Sequence, residues 1–386
     1  MIQLIYQFKS PTEKSVKDQI NEEDTLVKIP VLEERKGLAH TLSLLKYSKN
    51  YDHIEIFKEN DETIELLALH GNGRGWEDSG GEKYNDLDLY LVAINLKTFE
   101  IQEEKIFNLK ENNRALDLLV DGQNIFISFV HVNKKNQGNV RVIRLNGDNK
   151  SKKYELIFET NKILAPFEIA DSGGKLLKIK NNLLVSIGNF AKGGSAKDSS
   201  YLGKIMSINL SNGYGYKVIS SGHRNIQGLY WSKTDKIIIS TEHGPRGGDE
   251  INEIQEGKDY GWPKVSYGFP YYWETKHNNV WATNTINFGH HENFKKPIYA
   301  FVPSIGIKAI EQLPEQQFQF PQWKNNYLVC SAQGLFRVKI EIENGVPRVI
   351  FYEKISHACR DLKITNSGII VTNDLTLIKK KPGSRG

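Results

Sequence analysis

Residues Asn325-Asn-Tyr-Leu-Val-Cys-Ser331 open the unit whose reading decides the fold. Two turn-forming asparagines lead into a short apolar run. A second run, Gly334-Leu-Phe-Arg-Val-Lys-Ile340, alternates apolar and polar side chains, and a third follows at Arg348-Val-Ile-Phe-Tyr352. β-Branched and aromatic residues with period two, bounded by Asn and Gly, predict strands. The same turn-then-strand opening recurs at 122–129, 181–187, 235–240 and 367–372. Alternating second runs follow at 140–145 and 203–208, and third runs at 154–158 and 216–219. Repetition at roughly 50 residues is the mark of propeller blades. These five units, with N-terminal strands near Thr63–Leu69 and Leu87–Asn95, predict an all-β, six-bladed β-propeller. The N-terminal strands are expected to complete the last blade beside residues 366–378. Residues 1–25 read as a polar arm, 26–380 as one propeller domain and 381–386 as a basic tail.

Composition narrows the function classes. The 51 Lys and Arg against 46 Asp and Glu give a formal charge of only +5, which is no nucleic-acid footprint. No run of about 18 apolar residues predicts a membrane span. Residues 1–8, Met-Ile-Gln-Leu-Ile-Tyr-Gln-Phe, are short and lack the basic start of an export signal. The 2 cysteines, Cys330 and Cys359, make no disulfide framework and leave the redox compartment open. The glycine-rich loop 71–81 lacks the Lys-Ser/Thr close of a nucleotide loop. No Gly-x-Ser-x-Gly or Cys-x-x-Cys supports a hydrolase or zinc reading. His290 and His291 adjoin Glu292, but neighbours on an extended chain point oppositely.

The chemistry concentrates in Thr241-Glu-His-Gly-Pro-Arg-Gly-Gly-Asp-Glu250, which runs on through Gly257-Lys-Asp-Tyr-Gly-Trp-Pro263. Glycine and proline break the strand there, and carboxylates stand beside exposed carbonyls, the oxygen ligands a calcium ion takes. This stretch resembles the signature of the soluble PQQ-dependent aldose sugar dehydrogenases, the glucose/sorbosone dehydrogenase family. That pattern reads E-H-G-P-R-G-G-D-E-(I/L)-N, then G-K-N-Y-G-W-P, and Asp259 replaces the Asn. Gly222-His-Arg-Asn-Ile-Gln-Gly228, Ala196-Lys-Asp198, Leu202-Gly-Lys-Ile205, Phe320-Pro-Gln-Trp323 and Arg360-Asp361 resemble further elements in the same order. The resemblance covers roughly residues 115–378, and the first ~110 residues match poorly. The family fold is a six-bladed propeller, and the family is typically periplasmic or secreted.

The resemblance implies PQQ over the propeller mouth, calcium, and oxidation of a sugar or related alcohol, with electrons passed to an acceptor the sequence does not identify. In the family a His removes the hydroxyl proton. Its position in the pattern H-F-G-G-R-L holds Asp171 here, and the orienting carboxylate of S-I-G-D becomes Asn189. Asp171 and Asn189 are therefore the expected catalytic pair, with Asn189 able to donate a hydrogen bond to Asp171. Arg224, Asn225, Phe301, Lys308 and Arg360 fall at cofactor-binding positions. Gln333 and Ala358 stand where the family has two further cations, which predicts weakened PQQ binding. Carbonyls of Gly244 and Pro245 match the cofactor-side calcium ligands. Glu250 and the Tyr260 carbonyl, with Asp249 adjacent, match a structural calcium site. The aromatic residues Tyr267, Phe269, Tyr271, Tyr272, Trp273 and Trp281 suit a sugar ring or a buried packing role equally. The alternative to an oxidoreductase is a non-catalytic, calcium-stabilised propeller that binds a carbohydrate or a protein.

Overall fold

A computed structural model describes residues 29–31, 42–47, 49–71, 85–135, 137–146, 153–164, 171–190, 200–211, 214–269, 287–316 and 319–380. The expected arm 1–25, the tail 381–386, the element Ala196–Asp198 and most of the 71–81 loop lie outside the described residues. The described residues contain no α-helix and no helix long and apolar enough to cross a membrane.

Six antiparallel blades account for the strands. Blade 1 comprises His53–Glu59, Thr63–His70, Asn85–Asn95 and the first part of Ile101–Asp121. The second part of Ile101–Asp121 is the inner strand of blade 2, followed by Asn124–Val132, Gln137–Asn146 and Tyr154–Glu159. One long strand thus serves both blades. Blade 3 is Gly173–Ile179, Asn182–Ile187, Lys204–Asn209 and Tyr216–Ser221. Blade 4 is Ile226–Ser232, Ile237–Glu242, Asp249–Ile254 and Tyr299–Phe301. Blade 5 is Ile307–Gln312, Tyr327–Ser331, Leu335–Glu343 and Val346–Ser356. Blade 6 joins both ends of the chain. Leu362–Thr365, Gly368–Val371 and Thr376–Lys380 are completed by Leu42–Lys46 and Ile29–Val31, with Leu42 opposite Lys380. The inner strands pack in cyclic order, each against the next, so the ring is closed.

Hydrophobic pattern and turn chemistry explain these elements. Asn344 and Gly345 both have positive φ, 52° and 77°, the two-residue hairpin geometry that matches strand twist. The second strand of blade 2 is buried along nearly its whole length, because both of its faces meet apolar neighbours. One face joins Leu183, Val185 and Ile187 of blade 3. The other joins Leu67, Leu69 and Leu89 of blade 1. Analogous clusters fill the remaining junctions around the ring. The core therefore lies between blades, and the inner strands are left to line the axis.

Polar side chains occupy that axis. Lys175 pairs with Asp117, and Lys363 pairs with Glu55 at 2.7 Å and Glu311 at 2.8 Å. Burial pushes Glu55 up to about 7 against the opposing pull of Lys363. For Asp361, burial acts upward, but Lys175, His53 and Lys363 together hold the carboxyl well below the usual range.

The two cysteines form a disulfide with Cα atoms 5.1 Å apart. It ties the second strand of blade 5 to the loop that leads into blade 6, and both residues are fully buried. Sequence alone left these thiols unassigned. A cross-link spanning 29 positions restricts the unfolded chain and is worth about 2–4 kcal/mol. The Cys330→Ala/Cys359→Ala protein is expected to lose that much in urea unfolding. Equal midpoints for the two proteins under oxidising conditions would contradict the cross-link.

Candidate functional site

In an antiparallel blade the start of the inner strand lies beside the end of the second strand. Asp171 precedes the inner strand of blade 3, Arg224 and Asn225 precede that of blade 4, and Arg360 precedes that of blade 6. Lys308 lies in the first turn of the inner strand of blade 5. Asn189 and His243 follow the second strands of blades 3 and 4. All seven positions therefore fall on one face of the ring, toward the axis.

Backbone hydrogen bonds draw five of them together. Asn189 N donates to Arg224 O at 2.8 Å, Phe190 N to Asp171 O at 3.1 Å, and His243 N to Asn225 O at 2.9 Å. The glycines make this closeness possible. A Cβ on Gly188 would fall 1.9 Å from the Asp171 carbonyl oxygen, and one on Gly244 would fall 2.0 Å from that of Gly248.

Asp171 and Arg224 form the centre of the group. The Arg224 guanidinium lies 2.8 Å from Asp171 Oδ2, and Asn225 Nδ2 donates to Asp171 Oδ1 at 3.4 Å. Arg224 also donates to the carbonyls of His243 at 3.3 Å and Gly244 at 3.2 Å, and lies over the Trp262 ring. Asn225 Oδ1 accepts from Gly173 N and Gln227 Nε2. Both Asp171 and Asn189 are buried. The described contacts place Asn189 beside Asp171 through the backbone.

Positive charge gathers beside this group. Burial, then Arg360, pushes Lys308 down to about 8, and Asp52 opposes weakly. Burial pushes His243 down to about 4. Asp249 opposes that shift, while Arg224, Lys308 and Arg360 reinforce it. Sequence reasoning gave His243 no role, although it lies in the quoted signature. Its signal is its position, one residue past the end of a second strand.

Negative charge gathers on the outer side of the same turn. Glu242 and Glu250 are cross-strand partners. Glu242 accepts from His223 at 2.9 Å and from the backbone N of Arg224. His223 stacks on Tyr260 at 4.5 Å. Burial, then Glu242, pushes Glu250 up to about 8 despite one hydrogen bond from Asn252. No cationic side chain pairs with Glu250 among the described residues. Asp249 has a different surrounding. Its oxygens accept from the backbone N of Gly244 at 3.2 Å, Ile305 at 3.1 Å, Gly306 at 2.7 Å and Ile307 at 2.9 Å. Asp249 thus anchors the turn of blade 4 to blade 5.

Several expected residues lie apart from the group. Phe301 is opposite Asp249 on the neighbouring strand, and its ring packs on Tyr299 at 4.8 Å and Tyr352 at 5.4 Å inside the core between blades 4 and 5. Its ring is buried in that core. Gln333 Nε2 donates to the Ser304 carbonyl at 3.0 Å. His291 stacks on Tyr267 at 4.8 Å and is buried. Tyr271, Tyr272, Trp273 and Trp281 lie outside the described residues.

The family model for Glucose / Sorbosone dehydrogenase matches residues 119–376. An uncharacterised protein of Synechocystis is 35% identical over 270 residues, which is 58% of this chain and 65% of that protein. Quinoprotein glucose dehydrogenase B of Acinetobacter calcoaceticus is 39% identical over 77 residues, 17% of this chain and 16% of that one. This chain therefore matches less than two thirds of the length of either relative. The apo-form crystal structure of the soluble aldose sugar dehydrogenase of Escherichia coli superposes with a TM-score of 0.66. It is 16% identical and covers 89% of this chain and 100% of that one. At that identity the superposition speaks for the propeller fold.

Proposed function

This chain belongs to the glucose/sorbosone dehydrogenase family, and on that premise we propose that it oxidises an aldose sugar or a related alcohol with a PQQ-type quinone held at the propeller mouth. The observation that carries this reading is the cation cluster of Arg224, Lys308 and Arg360 around His243. Neither Lys308 nor Arg360 has an ion-pair partner among the described residues, and Lys308 is already pushed toward neutrality. Such a cluster fits a ligand that brings several carboxylates, as PQQ does. When bound, the cofactor supplies the hydride acceptor. Asp171 receives the substrate hydroxyl proton on a carboxylate oxygen. Arg224 and Asn225 hold that carboxylate in place, and burial excludes water from it. Gly244 and Pro245 carbonyls would hold the cofactor-side calcium.

A second calcium at Glu250 and the Tyr260 carbonyl fits the uncompensated carboxylate charge there. Calcium at 100 times its dissociation constant adds about 2.7 kcal/mol of stability. EGTA-treated protein is expected to melt lower than calcium-loaded protein, with the gap closed in Glu250→Gln. Identical melting curves for stripped and loaded wild type would dismiss the site.

Lys308 makes cofactor affinity depend on pH. An anionic ligand raises the pKa of a neighbouring ammonium, so above about 8 binding must take up a proton. Affinity is therefore expected to fall as pH rises through 8 to 10. The fall should vanish in Lys308→Arg, whose charge persists. A wild-type affinity that is flat across this range would remove Lys308 from the binding site.

One observation favours a non-catalytic reading. Asp171 neutralises Arg224 within the protein, and Gln333 and Ala358 supply no charge. Calorimetric titration of the calcium-loaded protein with PQQ separates the two. Saturable binding followed by dye-linked turnover with an aldose supports the oxidoreductase. No heat of binding leaves a calcium-stabilised binding propeller.

A further inference from the structure

Where the ring closes, three blades present a ligand set that the sugar-oxidation reading does not use. His53 begins the inner strand of blade 1, Asp117 lies in that of blade 2, and Asp361 precedes that of blade 6. His53 Nδ1 is 3.6 Å from Asp117 Oδ1 and 3.5 Å from Asp361 Oδ2. One ligand atom from each residue lies within 4.8 Å of the other two. Ligands of one tetrahedral ion with bonds of ~2.1 Å sit roughly 3.4 Å apart. The two edges to His53 Nδ1 therefore match neighbours in a coordination sphere, and the third pair lies within 4.8 Å.

The imidazole is poorly satisfied. Its side chain is only 5% exposed; Nδ1 faces the two carboxylates at 3.5 and 3.6 Å, and neither ring nitrogen has a hydrogen bond of normal geometry among the described residues. A shared ion between the buried ring and the carboxylates would satisfy all three. Burial also favours its neutral form, which is the form that ligates metals. The carboxylates already have donors, and the oxygens that face His53, Asp117 Oδ1 and Asp361 Oδ2, are among the paired atoms. Asp117 Oδ2 accepts from Leu176 N at 2.7 Å, and its Oδ1 pairs with Lys175. Asp361 accepts from Ile54 N at 3.1 Å on Oδ2 and from Leu362 N at 2.9 Å on Oδ1. Outer donors of this kind orient ligating carboxylates.

Charge points the same way. The axial group contains the carboxylates of Asp117, Asp361, Glu55 and Glu311 against the ammonium groups of Lys175 and Lys363. With His53 neutral, the carboxylates outnumber the ammonium groups, and burial already pushes Glu55 up to about 7, an imbalance that a divalent ion relieves.

We propose that His53, Asp117 and Asp361 bind a single divalent transition-metal ion of zinc-like preference, which clasps blades 1, 2 and 6 at the closure of the ring. The imidazole nitrogen selects zinc-type ions over calcium, which takes oxygen ligands. The site is separate from Glu250 and the Gly244–Pro245 turn, and it stands or falls independently of PQQ.

The test titrates EDTA-stripped full-length protein with zinc(II) by calorimetry, with calcium present to fill oxygen-ligand sites. One equivalent of tight binding is expected. His53→Asn and Asp117→Asn should each weaken it by more than about 100-fold. Because either variant can fail to fold, X-ray absorption on zinc-loaded wild type provides a second measurement, with an imidazole contribution to the zinc shell expected. The proposal is overturned by absence of stoichiometric binding, by unchanged affinity in a folded His53→Asn protein, or by a zinc shell without imidazole.

Discussion

Replacing Lys363 with methionine is expected to lower the free energy of unfolding by about 3–5 kcal/mol. The ammonium sits between Glu55 and Glu311 at 2.7 and 2.8 Å, and the three side chains come from blades 1, 5 and 6. Methionine fills similar space but leaves two largely buried carboxylates facing one another. The dominant cost is therefore the stranded charge, with packing little changed. The triple variant Lys363→Met/Glu55→Met/Glu311→Gln should recover most of the loss, because Gln retains an acceptor for Ile364 N, which donates to Glu311 at 3.1 Å. Lys97→Met serves as the control. Its pair with Glu62 is 70% and 67% exposed, and such pairs contribute under about 1 kcal/mol. Guanidinium denaturation of the four proteins makes the comparison. A Lys363→Met midpoint no lower than that of Lys97→Met would show that the axial charges are solvated and contribute nothing to closure.

The blades were legible because each hydrophobic run carries its own punctuation. Asn and Gly mark the hairpins, and period two marks the strands. The grouping of the candidate residues was legible for a related reason: Asp171, Arg224 and Arg360 each stand just before an inner strand, and a propeller brings those ends together. The axial cluster was not legible. His53 and Asp361 are 308 positions apart in sequence, and each is a single polar residue at the edge of an apolar run. Only ring closure makes them neighbours. The disulfide was hidden similarly, since a spacing of 29 says nothing about Cα separation until blades 5 and 6 are placed. The shared strand Ile101–Asp121 escaped notice because its first half, Gln102-Glu-Glu-Lys105, is polar and exposed. The sequence does not show that Phe301 packs on Tyr299 and Tyr352, because Tyr352 belongs to the next blade.

Asp171→Asn is expected to reduce kcat by about 10²–10⁴-fold while cofactor affinity is retained or rises. The substitution keeps one acceptor oxygen, enough for either the Arg224 or the Asn225 contact, while its amide NH2 replaces the other acceptor. It removes the proton acceptor, and it releases the Arg224 charge to act on an anionic ligand. Arg224→Met should do the opposite. It strands a buried carboxylate and frees the His243 and Gly244 carbonyls of their donor, so both stability and cofactor affinity should fall. The stability loss should be about 3–5 kcal/mol. The pair of variants separates two roles that the ion pair alone leaves merged. If Asp171 is the base, turnover collapses in Asp171→Asn with binding intact. If Asp171 exists only to hold Arg224, the Asn variant keeps turnover, and the proton must pass to another group in the pocket. Steady-state rates measured beside calorimetric affinity for both variants decide it, and full turnover in Asp171→Asn would remove Asp171 from the chemistry.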